Sequence, residues 1–145
     1  MIDHYIYILN VRFSGDIHYE KEISEDLLDC AVPSMILQPI VENCVNHGIR
    51  EMSGEGRIWL KVYHGEEDTL VISIRDNGIG IHPEDLYHIF KRFYRSRFSQ
   101  DTQGLGLGLP LAKAIVEANG GTIEVESDFG KGTVFTMSFP IPTKL

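Results

Sequence analysis

Residues 69–85 read TLVISIRDNGIGIHPED, and three signals follow one another there. Residues 69–75 are β-branched, apolar and alternating, the pattern of a strand. Asp76-Asn77-Gly78 would alone suggest a hairpin turn, since these residue types favour turns. No returning strand follows, however. Pro83-Glu84-Asp85 makes a good first helical turn, with proline and acids where the helix dipole favours them. Between strand and helix, Gly78 and Gly80 permit close backbone approach to a flat ligand. Asp76, at the strand end, can accept a hydrogen bond from an exocyclic amine such as that of adenine.

Upstream, residues 57–64 (RIWLKVYH) form a partner strand joined through the polar turn Gly65-Glu66-Glu67-Asp68, and His18 to Ile23 alternates weakly, as an edge strand does. A helix is expected from Ser34, a candidate N-cap, to about His47, with Met35, Ile36, Ile40, Val41, Cys44 and Val45 as its apolar side and Gly48 closing it. Ile2, Ile6, Leu9 and Phe13 recur at helical spacing over residues 2–13. Downstream, residues 95–104 are polar and aperiodic. A helix from about Leu109 to Asn119 ends at Gly120-Gly121, and strands 122–127 and 133–139 flank the turn 128–132. Helices and strands mix without strict β-α-β alternation. The expected fold is α+β, a two-layer sandwich with one mixed sheet covered by helices on one face.

Composition narrows the function. The 145 residues suit one domain with one core, and 43% apolar with 23% charged residues is ordinary for a soluble fold. No apolar run is long enough to span a bilayer, and Met1 to Tyr5 lacks the basic-then-apolar pattern of a signal peptide. A formal charge of −8 gives no basic footprint for nucleic acid. A phosphate-bearing ligand would have to be held by local geometry against the overall field. Cys30 and Cys44 make neither a metal spacing nor a disulfide framework, which suits a reducing cytoplasm.

Four further features carry chemistry. Asn43 and His47, at i and i+4, share a helix face next to Glu42 and Asn46. Asn43 offers a neutral oxygen to a hard cation that keeps most of its waters, although polar helix residues are more often simply a solvated side. Residues 104–111 (GLGLGLPL) place glycines before a helix start, where backbone N–H groups and the dipole suit phosphates. A polar segment rather than a strand precedes them, so the dinucleotide fingerprint fails, and no GxxxxGK[ST] exists. Gly130-Lys131-Gly132-Thr133 taken alone is a hairpin turn. Arg92 and Arg95, beside Phe90 and Phe93, are either surface charge or groups that reach a γ-phosphate once a loop closes.

In this order the segments PIVENCVNHGI, DNGIGI, IFKRFY, GLGLGL and GKGT resemble the N, G1, F, G2 and G3 boxes of the catalytic ATP-binding domain of sensor histidine kinases. ILQPIVENCVNHGI, with YIYILNVRF upstream, is most similar to the YesM/LytS-type subgroup. The resemblance implies the Bergerat-type fold of the GHKL superfamily, an α/β sandwich shared with gyrase, mismatch-repair and heat-shock chaperone ATPases. It implies a lead-in segment over residues 1–23 and an ATP-binding domain over 24–145. It also implies ATP and Mg²⁺, with Asn43 on the metal, Asp76 on the adenine amine, and Thr133 near the adenine end. Gly78, Gly80 and Ile81 would make room for the base, and Asn46, His47, Arg92 and Arg95 would line the nucleotide. Gly104, Leu105, Gly106, Leu107, Gly108 and Leu109 would meet the phosphates under a lid formed by residues 95–108. Glu42, Asn43 and Arg95 would be the catalytic group.

Hydrolases of this superfamily carry a glutamate one helical turn before the magnesium asparagine. Here that position is Pro39, and Glu42 points about 100° away around the helix. Many relatives carry lysine at the position of Asn46, so Arg95 and Mg²⁺ would supply the positive charge. The expected activity is therefore transfer of the ATP γ-phosphoryl group to a histidine. The alternatives are a regulatory nucleotide-binding module without transfer, or an anti-sigma-type serine kinase. None of His4, His18, His47, His64, His82 or His88 lies in the PHFLYN-like context of the subgroup's phosphorylated histidine. The expectation is thus a piece of a longer kinase, its acceptor and dimerisation segment lying elsewhere. The partners implied are that segment and a response regulator, with no nucleic acid and no direct membrane contact. The domain would be cytoplasmic and its parent protein in the cell membrane.

Overall fold

A computed structural model describes the protein over residues 17–27, 34–45, 55–91 and 108–141. The expected helix over residues 2–13, the closing Gly48, the polar segment 95–104 and Gly106 after it lie outside these residues. Five strands form one sheet: β1 (Ile17–Ile23), β2 (Gly56–His64), β3 (Thr69–Asp76), β4 (Thr122–Asp128) and β5 (Gly132–Pro140). Their spatial order is β1-β2-β3-β5-β4. β1 runs parallel to β2 and the other neighbours are antiparallel, so the sheet is mixed and β1 occupies an edge.

Parallel neighbours cannot be joined by a tight turn. The connection from β1 to β2 accordingly carries a 3-10 turn (Glu25–Leu27) and helix α1 (Ser34–Asn43). β2 and β3 form a hairpin whose turn places Glu67 and Asp68 at φ 54° and 55°. A four-residue helix α2 (Pro83–Leu86) follows the DNGIGI loop, and α3 (Gly108–Ala118) precedes β4.

Alternation along the strands sorts the two faces. Ile58 and Leu60 of β2, Leu70, Ile72 and Ile74 of β3, and Phe135, Met137 and Phe139 of β5 are buried in one core. The helices supply Ile36, Ile40, Val41 and Cys44 from the α1 side and Val116 from α3, all at helical spacing. Both long helices therefore cover the same face. The opposite face carries Arg57, Lys61 and Arg75, with the Arg75 guanidinium 5.4 Å from the ring of Trp59, its register partner.

The boundaries of α1 differ from expectation at both ends. Ser34 is the first residue of α1 rather than its cap, and the α-helical segment ends at Asn43, opening into a wider turn over Cys44 and Val45. Pro39 sits inside α1, where it removes one amide from the hydrogen-bond ladder.

Candidate functional site

The inward face of β3 is apolar until its last residue. Leu70, Ile72 and Ile74 are followed at the same two-residue spacing by Asp76, which is only 2% exposed. The register extends this position into a row across the sheet: Ile58 of β2 opposite Asp76, Asp76 opposite Thr133 of β5, and Thr133 opposite Ser127 of β4. Thr133 is also buried, at 5%. The helix-covered face thus ends in three polar side chains, two of which had been singled out from sequence.

Burial pushes the Asp76 carboxyl above its ordinary pKa. Hydrogen bonds from the Gly78 amide, the Cys44 thiol and the Thr133 amide work in the opposite direction. The Gly78 N–H donates to Asp76 Oδ1 at 2.8 Å, closing an Asx turn across the start of the loop. Cys44 is fully buried, and both desolvation and the neighbouring Asp76 charge raise its pKa well above the usual thiol range. It therefore stays protonated at neutral pH and serves as a donor.

The loop that follows is fastened at both ends. Asn77 accepts the Arg57 N–H at 2.7 Å and donates to the Glu55 carbonyl at 3.1 Å, which ties it to the start of β2. Further on, the Ile81 N–H donates to Ser127 Oγ at 2.7 Å, and the Gly130 N–H donates to the Ile79 carbonyl. The His82 ring meets Phe129 edge-on, with centroids 5.4 Å apart. Gly80 has φ +80°, and a side chain there would run into the Asp128 carbonyl. Gly132 has φ +125°, and its Cβ would strike the Asp76 carbonyl oxygen. Glycine at these two positions lets the DNGIGI loop and the β4–β5 turn lie backbone to backbone. Gly130 and Lys131 lie in the turn, as read from sequence, while Gly132 and Thr133 already begin β5, where Thr133 pairs with Asp76.

At the end of α1, Glu42 and Asn43 are half-buried, and Gln38 Nε2 donates to Glu42 Oε1 at 3.3 Å. Pro39 faces α3, so a Cβ at Gly108 would lie 3.5 Å from Pro39 Cβ. Gly108 and Leu109 form the first turn of that eleven-residue helix. Phe90 lies under Lys113 Nζ, 5.3 Å from the ring centroid, linking the segment after α2 to α3. The structure thus describes Glu42, Asn43, Asp76, Gly78, Gly80, Ile81, Gly108, Leu109 and Thr133 among the expected site residues. Asn46, His47, Arg92, Arg95, Gly104, Leu105, Gly106 and Leu107 lie outside the described residues.

Cys44, Asn77 and Ser127 were not singled out as site residues. Strand alternation did carry the signal for Ser127, because Ile123 and Val125 point inward and the next inward position is a serine.

The match to known proteins falls on this same scaffold. Residues 33–143 match the model of the histidine kinase-, DNA gyrase B- and HSP90-like ATPase family. The chain belongs to that family. It corresponds to the catalytic ATPase domain of two-component sensor histidine kinases. The sensor histidine kinase YclK of Bacillus subtilis is 38% identical over 108 residues, covering 72% of this chain and 22% of that protein. RppB of Synechocystis is 38% identical over 107 residues, covering 72% of this chain and 23% of its own length. The chain thus spans less than a quarter of either relative. Among solved structures, the mycobacterial sensor histidine kinase MprB aligns over 99% of this chain and 95% of its own, with 25% identity and a TM-score of 0.72. Full-length ShkA, in complex with AMPPNP, aligns over 95% of this chain and 28% of its own with a TM-score of 0.71. Its 23% identity supports the shared fold alone.

Proposed function

We propose that the domain binds ATP with Mg²⁺ and donates the γ-phosphoryl group to a histidine on a dimerisation segment outside residues 1–145. The observation that carries the reading is Asp76, a carboxyl group buried at the end of an apolar strand face beside the glycine-bearing DNGIGI loop. A charge in that position needs donors, and an adenine amine is one. Thr133 lies at the same end of the base. Gly78, Gly80 and Ile81 flank it, and motif position assigns Asn46 and His47 to the nucleotide as well.

Mg²⁺ fits the chemistry of the residues present. Among the described residues no three of His, Cys, Asp and Glu gather as a metal cage, whereas the Asn43 amide at the end of α1 suits a cation held mainly by phosphates and water. When bound, the ion neutralises charge on the transferring phosphoryl group. The chain's own part is positioning: Gly104 to Leu109 cradle phosphates by backbone, and Arg92 and Arg95 close on the γ-phosphate. In the transfer the bond from γ-phosphorus to the bridging oxygen breaks, an N–P bond forms to the imidazole, ADP leaves and the imidazole proton is released.

Pro39 supports transfer to histidine over hydrolysis. It packs toward Gly108 and carries no base, and Glu42 engages Gln38. On the ILQPIVENCVNHGI segment we place the domain in the YesM/LytS-type subgroup. Residues 1–23 then lead in from the acceptor region, with residues 24–145 as the ATP-binding unit. A response regulator is the downstream partner, and the parent protein sits in the cell membrane with this domain in the cytoplasm. No helix among the described residues is long and apolar enough to cross a membrane.

The test supplies labelled ATP, Mg²⁺ and a separately expressed acceptor domain of a YesM-type kinase. Label on the acceptor histidine with negligible label on the chain itself is expected. ATP binding without any transfer, where an intact homologue works, would leave a regulatory module instead.

A further inference from the structure

Ser127 carries more contacts than a strand-end serine needs. Its Oγ lies 2.7 Å from the Ile81 amide nitrogen, 3.0 Å from the Gly132 carbonyl oxygen and 3.0 Å from Thr133 Oγ1. Two of these partners have fixed polarity. The Ile81 amide only donates, and the Gly132 carbonyl only accepts. Ser127 has one proton, which goes to the carbonyl. The contact with Thr133 is then satisfied by the threonine proton pointing at Ser127. This is the single proton arrangement that satisfies all three contacts at once.

The consequence falls on Thr133. Its hydroxyl has used its proton and turns only lone pairs to any ligand. Its register partner Asp76 is an acceptor as well. The polar row therefore offers two acceptors and no side-chain hydroxyl donor at its centre.

We infer that Ser127 is a specificity-determining positioning residue: it fixes Thr133 as an acceptor, so that the row selects a 6-amino purine over a 6-oxo purine. The inference rests on the proposal that this row takes the purine base. A site built to receive N–H groups rejects a ligand presenting a carbonyl there, because acceptors face one another unpaired. Without Ser127 the Thr133 hydroxyl rotates and can donate, which relaxes the rejection.

The test measures Mg-ATP and Mg-ITP dissociation constants for the parent chain, Ser127→Ala, Ser127→Thr, Thr133→Val and the Ser127→Ala/Thr133→Val pair, with melting temperatures taken without nucleotide. The parent should prefer ATP. Ser127→Ala should reduce the ATP-over-ITP ratio by on the order of tenfold, and Ser127→Thr, which keeps the hydroxyl, should restore it. In the Thr133→Val background Ser127→Ala should change the ratio no further, since the serine acts through the threonine. A merely structural serine would weaken both nucleotides alike and leave the ratio intact, which overturns the inference. If Ser127→Ala does not fold, an unchanged ratio in Thr133→Val overturns it equally. A parent that takes ATP and ITP alike removes the purine reading and this inference together. A discriminating parent with an equally discriminating Ser127→Ala removes this inference alone.

Discussion

Asp76 illustrates how a binding residue opposes the fold that holds it. Its pKa is raised by burial, so the native chain holds the proton more tightly than the unfolded chain does. Between the ordinary carboxyl pKa and the raised one, the native state binds more protons, and stability falls as pH rises through that window. Above the raised pKa the charged carboxylate is a net cost to the empty domain. Asp76→Asn removes the titration, so the parent should gain stability relative to that variant as pH is lowered through the raised pKa toward the ordinary carboxyl value. Paired denaturant titrations across pH read this directly. The same substitution should weaken ATP binding by about tenfold to a hundredfold, the loss expected for a hydrogen bond to a charged group, measured by calorimetric titration.

At the scale of elements, the β4–β5 turn and the DNGIGI loop behave as one unit. Gly130 and Gly132 both have positive φ, but a Cβ meets nothing within 4 Å at Gly130 and the Asp76 backbone at Gly132. Gly130→Ala should cost about 1 kcal/mol, the strain of a left-handed residue alone. Gly132→Ala should cost clearly more and lower ATP affinity as well, because the displaced backbone is that of Asp76. Urea midpoints and nucleotide titrations of the two variants separate the effects. The loop was legible from DNGIGI because a strand entered it and a helix left it. GKGT was legible as a turn, and only the order of boxes tied it to a site. That Ser127 and Cys44 touch this site was harder to read. One needs the register of β4 on β5 and the other the seating of α1 on β3, and both are set by packing between distant segments rather than by local pattern. The one-residue shift at Ser34 lies within the usual blur of helix ends.

The whole molecule depends on a core running from β2 through β3 and β5 under two helices. Phe135 is fully buried at its middle, opposite Ile74 on one side and Val125 on the other. Phe135→Ala should cost about 3–5 kcal/mol, a large part of the roughly 5–15 kcal/mol available to a domain. The expected outcome is a much lower urea midpoint with ATP shifting it upward, since a ligand bound only to the native state adds stability. A midpoint unchanged from the parent would contradict the placement of Phe135 at the centre. The mixed sheet and its one-sided helices were legible because alternation and helical spacing are strong over these segments. The strand order was not, as β5 enters between β3 and β4 by a long-range pairing that no local signal marks.

That insertion has a consequence for the chain as it leaves the ribosome. The last of these five strands to be synthesised is an interior one, and it carries Thr133 and the glycine that lies against Asp76. Until residues 132–140 have emerged, β3 lacks its neighbour, the loop after it has no turn to rest on, and the polar row is half made. Nucleotide therefore cannot template the early stages of folding. It recognises only a finished domain, so ATP retention serves as a readout of that domain's completion, and a chain that stops short of β5 is silent to it.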